Sequence, residues 1–312
     1  MRSCPPETAI PYTKEEPRMS RRKLREMAAG YAFLAPTILV IGIFTLAPIV
    51  YALFLSFHKV QLLGGISYRF INFNNYIRMI DDERVWIALS NTFEYAIIVV
   101  PLQTALAILL AAVLNSKLRG RNTFRALYFL PTVTSSAVLT LIFMWIFKTD
   151  GLLNDLLGFF GIPPFNWLGD PNVALKAIML MNIWSTAPYY MVIYLAALQD
   201  IPESLYEAAE IDGARTLRKF WSITLPLLKP VTFFVVTMGI IGTFQLFDQA
   251  YIFSNGSGGP NNSTLTVVLL IYGYAFKLLD MGYASALAVV LAAIIMLITV
   301  IQRRIFGEEK LN

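Results

Sequence analysis

Six stretches of this sequence, 31–57, 95–114, 126–147, 177–199, 230–247 and 281–302, contain no Asp, Glu, Lys or Arg, and each is at least 18 residues long. A bilayer core of about 30 Å is crossed by roughly 20 residues of helix. Inside it, every backbone polar group must be paired within the segment itself. The pattern therefore predicts an all-α integral membrane protein with six transmembrane helices. With only 14% charged and 57% hydrophobic residues, the chain also falls outside the usual composition of water-soluble domains.

Charge orients the helices. Of the 25 Lys and Arg residues, 7 precede the first run, 4 follow the second, 4 follow the fourth and 3 lie at the C-terminus, against 4, 2 and 1 after the first, third and fifth. The positive-inside rule places both termini and the even-numbered connections in the cytoplasm. The net charge of +5 is thus a topology signal rather than a nucleic-acid footprint. Arg18, Arg21, Arg22, Lys23 and Arg25 resemble the start of a signal peptide, but the run behind them is too long and lacks a small-residue cleavage site. The expected organisation is a basic cytoplasmic segment 1–30, a six-helix domain 31–302 and a cytoplasmic tail 303–312.

Several chemistries are excluded or weakened by scarcity. Cys4 is the single cysteine and His58 the single histidine, so no intrachain disulfide or Cys-based metal site can form. No GxxxxGK followed by Ser or Thr occurs, so ATP is not bound here through a P-loop. An integral-membrane enzyme lacks a grouped set of catalytic side chains, and an ion-driven transporter would need intramembrane carboxylates or repeats; only Asp248 comes near the apolar runs.

Between the runs, 58–94 carries Gly64 and Gly65 and then a stretch with apolar residues at helical spacing around Asp81, Asp82 and Glu83, expected to form an amphipathic helix on the outer face. The stretch TLTVVLLIYGYAF after the SNGSGGPNNST loop is too short for a seventh crossing and reads as interfacial or re-entrant. Pro36, Pro48, Pro101, Pro131 and Pro188 lie inside the runs, where each removes a backbone hydrogen bond and can kink its helix. Pro131 and Pro188 stand among polar residues, in LPTVTSS and NIWSTAPYY.

Polar side chains within spans are costly unless they face a cavity or another helix. Thr132, Thr134, Ser135 and Ser136 on the third, Asn182, Ser185, Thr186 and Tyr189 on the fourth, and Gln245, Asp248 and Gln249 on the fifth are candidate solute contacts. Trp184, Tyr189, Phe244 and Phe247 are candidate aromatic faces, because polyols are held by neutral donors, acceptors and rings. The same hydroxyls also serve as helix-packing residues.

The cytoplasmic stretch 201–230, IPESLYEAAEIDGARTLRKFWSITLPLLKP, predicts one short helix over 202–212, with Pro202 at its first position and Gly213 as its stop. A second helix is expected from about Thr216 to Leu225, ended by Pro226. Its Glu207, Ala208, Ala209, Asp212, Gly213, Ala214, Ile223, Leu225 and Pro226 match the spacing of the EAA loop, and the stretch closely resembles that loop in permeases of ABC importers. The resemblance extends through YAFLAP, GLLNDLLG, NIWSTAPYYM, TFQLFDQAY, GGPNNST and GYASA, and is to the MalF-like, carbohydrate-uptake branch. It implies the type I importer transmembrane fold, without the large external domain and extra N-terminal spans of the maltose permease.

The resemblance further implies a non-catalytic permease of a prokaryotic inner membrane, surrounded by lipid. Its partners would be a second homologous permease chain in a heterodimer, two ATPase subunits that carry the ATP and Mg, and an external solute-binding protein. The chain itself would bind no cofactor and no metal. Resemblance places the coupling site on the nine EAA-loop residues, and sugar contacts near Thr132, Ser136, Asn182, Ser185, Thr186, Tyr189 and Gln245.

Overall fold

The computed structural model describes residues 21–61, 65–115 and 120–306. Cys4, Arg18, Gly64, most of the basic segment 1–30 and the tail beyond 306 lie outside them. The chain divides into two compact units, Met1–Tyr51 and Ala52–Asn312.

In the first unit, α1 (Arg21–Ile41) passes through a π-helical turn, Gly42–Leu46, into α2 (Ala47–Ser56), which continues into the second unit. Pro48 follows that turn. A proline has no N–H for the carbonyl four residues back and its ring crowds that carbonyl, so the widened turn is the backbone's accommodation.

The second unit begins with a hairpin that the residue pattern did not announce. β1 (His58–Gln61) pairs antiparallel with β2 (Ser67–Phe70), His58 opposite Phe70. Then come α3 (Asn74–Asp81) and α4 (Glu83–Asn115). The expected amphipathic outer helix is therefore only α3. The rest of that stretch, from Glu83, runs straight into the second span as one helix, which at 33 residues is about 50 Å long, longer than a bilayer core is thick.

The third span is not one helix. α5 (Arg121–Val133) and α6 (Ser136–Ile146) meet at a bend of 100°. Pro131 cannot donate to the turn before it, and Thr134 and Ser135 are extended, with ψ of 141° and 135°. A continuous helix over 126–147 is thereby corrected.

α7 (Leu152–Gly158) leads to α8 (Ala174–Gln199), then α9 (Glu203–Ile211), α10 (Thr216–Lys219), a π turn at Phe220–Thr224, α11 (Leu225–Leu227) and α12 (Lys229–Phe244). The expected stop at Pro226 does not occur. Pro226 sits inside a helical run that reaches the fifth span, and again a π turn precedes the proline. The fifth span breaks after Gln245 and resumes as α13 (Asp248–Phe253). α14 (Val267–Tyr272), the π turn Gly273–Lys277 and α15 (Met281–Phe306) complete the chain.

Among the described residues, four helices are long and apolar enough to cross a membrane: Ala29–Ser56, Glu83–Asn115, Lys229–Phe253 and Met281–Ile305. The bent α5 and α6 pair adds a fifth by length and composition. α8 has 26 residues, about 39 Å, but its centre is diluted by Asn182, Ser185, Thr186 and two tyrosines. Val267–Lys277 is a short apolar helix, in keeping with its exclusion from the spans.

The most extensive helix pairing joins α4 and α8. Small side chains make it possible: Ala88, Ala96, Ala107 and Ala111 of α4 are buried, as is Ala187 of α8. Such residues let helix backbones approach closely in a membrane, where packing rather than hydrophobic exclusion holds helices together. Tyr194 Oη of α8 donates to Thr232 Oγ1 of α12 at 3.1 Å, and Gln302 Nε2 of α15 donates to the Phe233 carbonyl at 3.2 Å.

α3 is fastened by charge to the residue that precedes α15. Arg78 pairs with Asp280 at 2.6 Å and lies 4.0 Å from the centre of the Tyr283 ring. Burial disfavours the Arg78 charge, but the hydrogen bond and charge of Asp280 outweigh it and raise its pKa. Tyr274 and Tyr283 each donate to Asp82 Oδ2, at 2.6 and 2.9 Å. Removing that acceptor leaves two hydroxyls without it, each costing about 1 kcal/mol or more. Asp82→Ala is accordingly expected to lower the melting temperature of the detergent-solubilised protein by about 5 °C, as measured by intrinsic fluorescence; an unchanged midpoint contradicts the assignment. Burial first, then the bond to Asp82, pushes the Tyr274 hydroxyl up to about 12. Its folded pKa is raised above the ordinary value of 10, so this contribution is complete below pH 10 and is lost as pH rises through 12.

Candidate functional site

The bend in the third span opens a cavity of about 250 Å³. Pro131 and Thr132 of α5, Thr134 in the bend, Ser136 and Leu139 of α6, Met181, Ser185, Thr186, Tyr189 and Tyr190 of α8, and Gln249 of α13 line it. A broken helix at membrane depth is tolerated where it borders a cavity, and discontinuous helices are common at transporter solute sites. The LPTVTSS segment breaks because proline and β-branched, hydroxyl-bearing residues all weaken its helix.

Of the residues expected at the site, Thr132, Thr134, Ser136, Ser185, Thr186, Tyr189 and Gln249 come together here. Ser135, Asn182, Phe244, Gln245 and Asp248 do not line it, nor do Trp184 and Phe247. Asn182 contributes its backbone carbonyl, which accepts from Ser185 Oγ at 3.2 Å and from Thr186 Oγ1 at 2.7 Å. Phe244 is corrected to a core residue: it is 2% exposed and stands edge-on to Phe93, with centroids 5.0 Å apart. Gln245 and Asp248 are exposed at the break between α12 and α13. Restarting the helix at Asp248 changes its register, so the polar side chain of this stretch that reaches the cavity is Gln249. Its Nε2 donates to Ser136 Oγ at 3.0 Å. Among the candidate rings, Trp184 packs on Phe143 at 5.4 Å and Phe247 on Tyr272 at 5.1 Å.

Gln103 escaped the sequence reading. It is buried on α4, and its Oε1 lies 2.7 Å from Thr186 Oγ1, so it fixes the cavity wall from behind. A lone amide in the otherwise apolar 95–114 run, flanked by Thr104, was the available signal.

The second expected site lies on α9. Pro202 is its N-cap, with φ −59° and ψ 129°, so the helix starts at Glu203, one residue later than anticipated. The helix ends as Gly213 predicts. Gly213 has φ +73°, its N–H donates to the Glu210 carbonyl at 2.9 Å, and the Ala214 N–H reaches back to the Ala209 carbonyl at 2.8 Å. These two bonds and the left-handed glycine make a Schellman cap. Glu207, Ala208, Asp212, Gly213 and Pro226 are exposed, while Ala209, Ala214, Ile223 and Leu225 are half-buried. Lys219 Nζ bonds Glu210 Oε1 at 2.5 Å, and that bond and the ammonium's charge hold the Glu210 carboxyl below its ordinary pKa. Tyr206 Oη and Thr224 Oγ1 lie 2.9 Å apart. α9 is thereby braced against the chain leading into the fifth span. Around it stand the exposed apolar side chains of Leu205, Ile211, Leu217 and Trp221.

Residues 103–307 match the family described as binding-protein-dependent transport system inner membrane component. The chain belongs to that family. It is 39% identical over 285 residues to a lactose transport system permease protein of Rhizobium radiobacter, covering 90% of this chain and 95% of that one. It is 33% identical to a trehalose/maltose transport system permease protein of Thermococcus litoralis, covering 92% and 96%. A sulfoquinovosyl glycerol transport system permease protein of Agrobacterium fabrum is 35% identical, with 95% and 96% covered. The fold is that of a bacterial alginate ABC transporter in complex with an alginate pentasaccharide-bound periplasmic protein, with a TM-score of 0.79 at 21% identity over 92% of this chain and 98% of that one. The chain is thus a multi-pass inner-membrane permease subunit of the ABC type, in the carbohydrate-uptake branch, and is not itself an enzyme.

Proposed function

We propose that this permease forms half of a translocation pathway for a sugar or sugar-like polyol, and that the cavity at the bend between α5 and α6 is its solute station. The observation that carries the reading is the composition of that wall: hydroxyls, one amide and two tyrosines at a break in an otherwise apolar segment. Neutral polar groups beside aromatic rings suit a polyol. The carbohydrate cargoes named for the relatives support the same class.

In this reading the chain crosses the membrane six times, with both termini in the cytoplasm. An external solute-binding protein delivers the cargo, and a second permease chain completes the pathway. Two partner ATPase subunits bind the ATP and Mg, and one of them seats α9 in a groove. The exposed face of α9, with its apolar rim and its braces to the fifth span, supports that docking. Closure of the ATPase pair would shift α9, and the helices would rock to expose the cavity to the outside.

The test is to tag the chain, express it with its neighbouring genes and purify it in mild detergent. The co-purifying proteins and their ATPase activity are then assayed across a panel of glycosides. Recovery of an ATPase and a second permease, with stimulation by one glycoside and its binding protein, is the expected result. A chain that purifies alone and transports on an ion gradient overturns the reading.

A further inference from the structure

The wall of the cavity has a polarity of its own, set by where its hydroxyl protons go. Thr132 Oγ1 donates to the Phe129 carbonyl at 2.7 Å, Thr134 Oγ1 to the Leu130 carbonyl at 3.0 Å, and Ser185 Oγ to the Asn182 carbonyl at 3.2 Å. Thr186 Oγ1 lies 2.7 Å from both the Asn182 carbonyl and Gln103 Oε1. Whichever acceptor takes its single proton, none is left for the cavity. A hydroxyl has one proton and two lone pairs, so these four side chains face a ligand as acceptors.

Turning any one of them to donate inward gives up the bond that its proton now makes to a carbonyl or amide oxygen of the wall. Gln249 offers both kinds of group. One N–H of its Nε2 is used on Ser136 Oγ, which leaves the second N–H and Oε1. Donation is left to Ser136, that amide N–H and the two tyrosine hydroxyls. No Lys or Arg is among the residues lining the cavity.

From this arrangement we infer that the cavity selects ligands by their hydrogen-bond donors: it takes neutral saccharides with several free hydroxyls and rejects sugars that carry a carboxylate, sulfonate or phosphate. Each hydroxyl of a neutral sugar supplies the proton that an acceptor wall lacks. An anionic group brings only lone pairs, meets four oxygens of like polarity, and finds no cation to offset its loss of hydration. The inference rests on the cavity being the solute station. It goes further in assigning the wall a sign, which matters because relatives of similar identity are named for both an uncharged and a sulfonated glycoside.

The test uses the full chain with its co-purified partners in lipid nanodiscs, without the binding protein, so that the membrane site alone chooses. Saturation-transfer NMR is recorded with millimolar lactose, trehalose, a set of singly deoxyfluorinated lactoses, and sulfoquinovosyl glycerol. The neutral disaccharides are expected to bind at least tenfold more tightly than sulfoquinovosyl glycerol. Fluorination at two or more positions of lactose should weaken binding about fivefold, since fluorine keeps the size and removes the donor. Thr186→Val, which keeps the shape and removes the acceptor, should weaken lactose binding similarly, and Thr186→Ser should restore it; a variant that does not assemble is replaced by Thr132→Val. Equal binding of neutral and sulfonated ligands, or indifference to fluorination, overturns the donor-selection inference while leaving the solute station intact. Absence of signal from every sugar overturns the station itself, and the inference with it.

Discussion

Gly213→Arg is expected to abolish solute-stimulated ATPase activity of the assembled transporter while leaving the chain inserted and folded. Gly213 sits at φ +73°, a left-handed conformation that costs a residue with a Cβ roughly 1 kcal/mol. That strain alone is small. The larger effect comes from position: Gly213 is exposed, with nothing within 4 Å of an added Cβ, and it closes the Schellman cap that ends α9. A long cationic side chain there projects from the surface proposed to enter an ATPase groove, and loosens the turn that carries α9 into α10. The measurement is ATP hydrolysis with and without solute and binding protein, alongside gel filtration of the variant. Gly213→Asn, which tolerates the left-handed region, should retain most of the stimulation. Full stimulation in Gly213→Arg would remove α9 from the coupling route.

Gly282→Ala should be the most damaging single-methyl change in the described residues outside the proposed sites. A Cβ at Gly282 would lie 2.0 Å from the carbonyl oxygen of His58. That oxygen belongs to the backbone of β1, which is held on both sides. β1 is laddered to β2, and the His58 carbonyl also accepts from Asn75 Nδ2 at 3.3 Å. Neither α15 nor the hairpin can yield by the ångström or more required without giving up those bonds. Overpacking of this kind costs about 3 kcal/mol. The expected outcome is a sharp fall in monodisperse protein recovered from membranes and a lower melting temperature, whereas Gly273→Ala, with open space around its Cα, should behave as the parent does. A Gly282→Ala protein as stable as the parent would show that the hairpin is not locked to α15.

Much of this architecture is legible from residue order because the bilayer is so restrictive a solvent. A run such as 95–114 has one stable backbone solution, and α4 covers it. Gly213 was legible for a similar reason: a helix that meets a glycine before a change of direction has a cheap left-handed exit. The cavity was partly legible. Hydroxyls and tyrosines in apolar runs pointed to Thr132, Ser136, Ser185, Thr186 and Tyr189, since a polar group in a span must face something.

Errors arose where a local pattern was extended through a break. The 126–147 run is unbroken in hydropathy, yet its backbone turns by 100°, because hydropathy counts side chains while the bend is made by the backbone of Thr134 and Ser135, which leaves helical geometry just after Pro131. The fifth span divides in the same way. Phe244, the last residue of α12, is buried against Phe93, and the helix that restarts at Asp248 turns Gln249, the one expected contact of that stretch to line the cavity, to Ser136. Pro226 was read as a stop, but a π turn ahead of it lets the helix continue.

By itself, the order of the residues determined that the chain is helical and membrane-embedded and where the charge-free runs lie, because these follow from composition and period along one dimension. Only the tertiary structure decided which polar side chains share a cavity, that Gln103 stands behind Thr186, that Asp82 holds two tyrosines from the far end of the chain, and which way the cavity's hydroxyl protons point. Those are facts about separation in space between residues far apart in sequence, and no local periodicity encodes them.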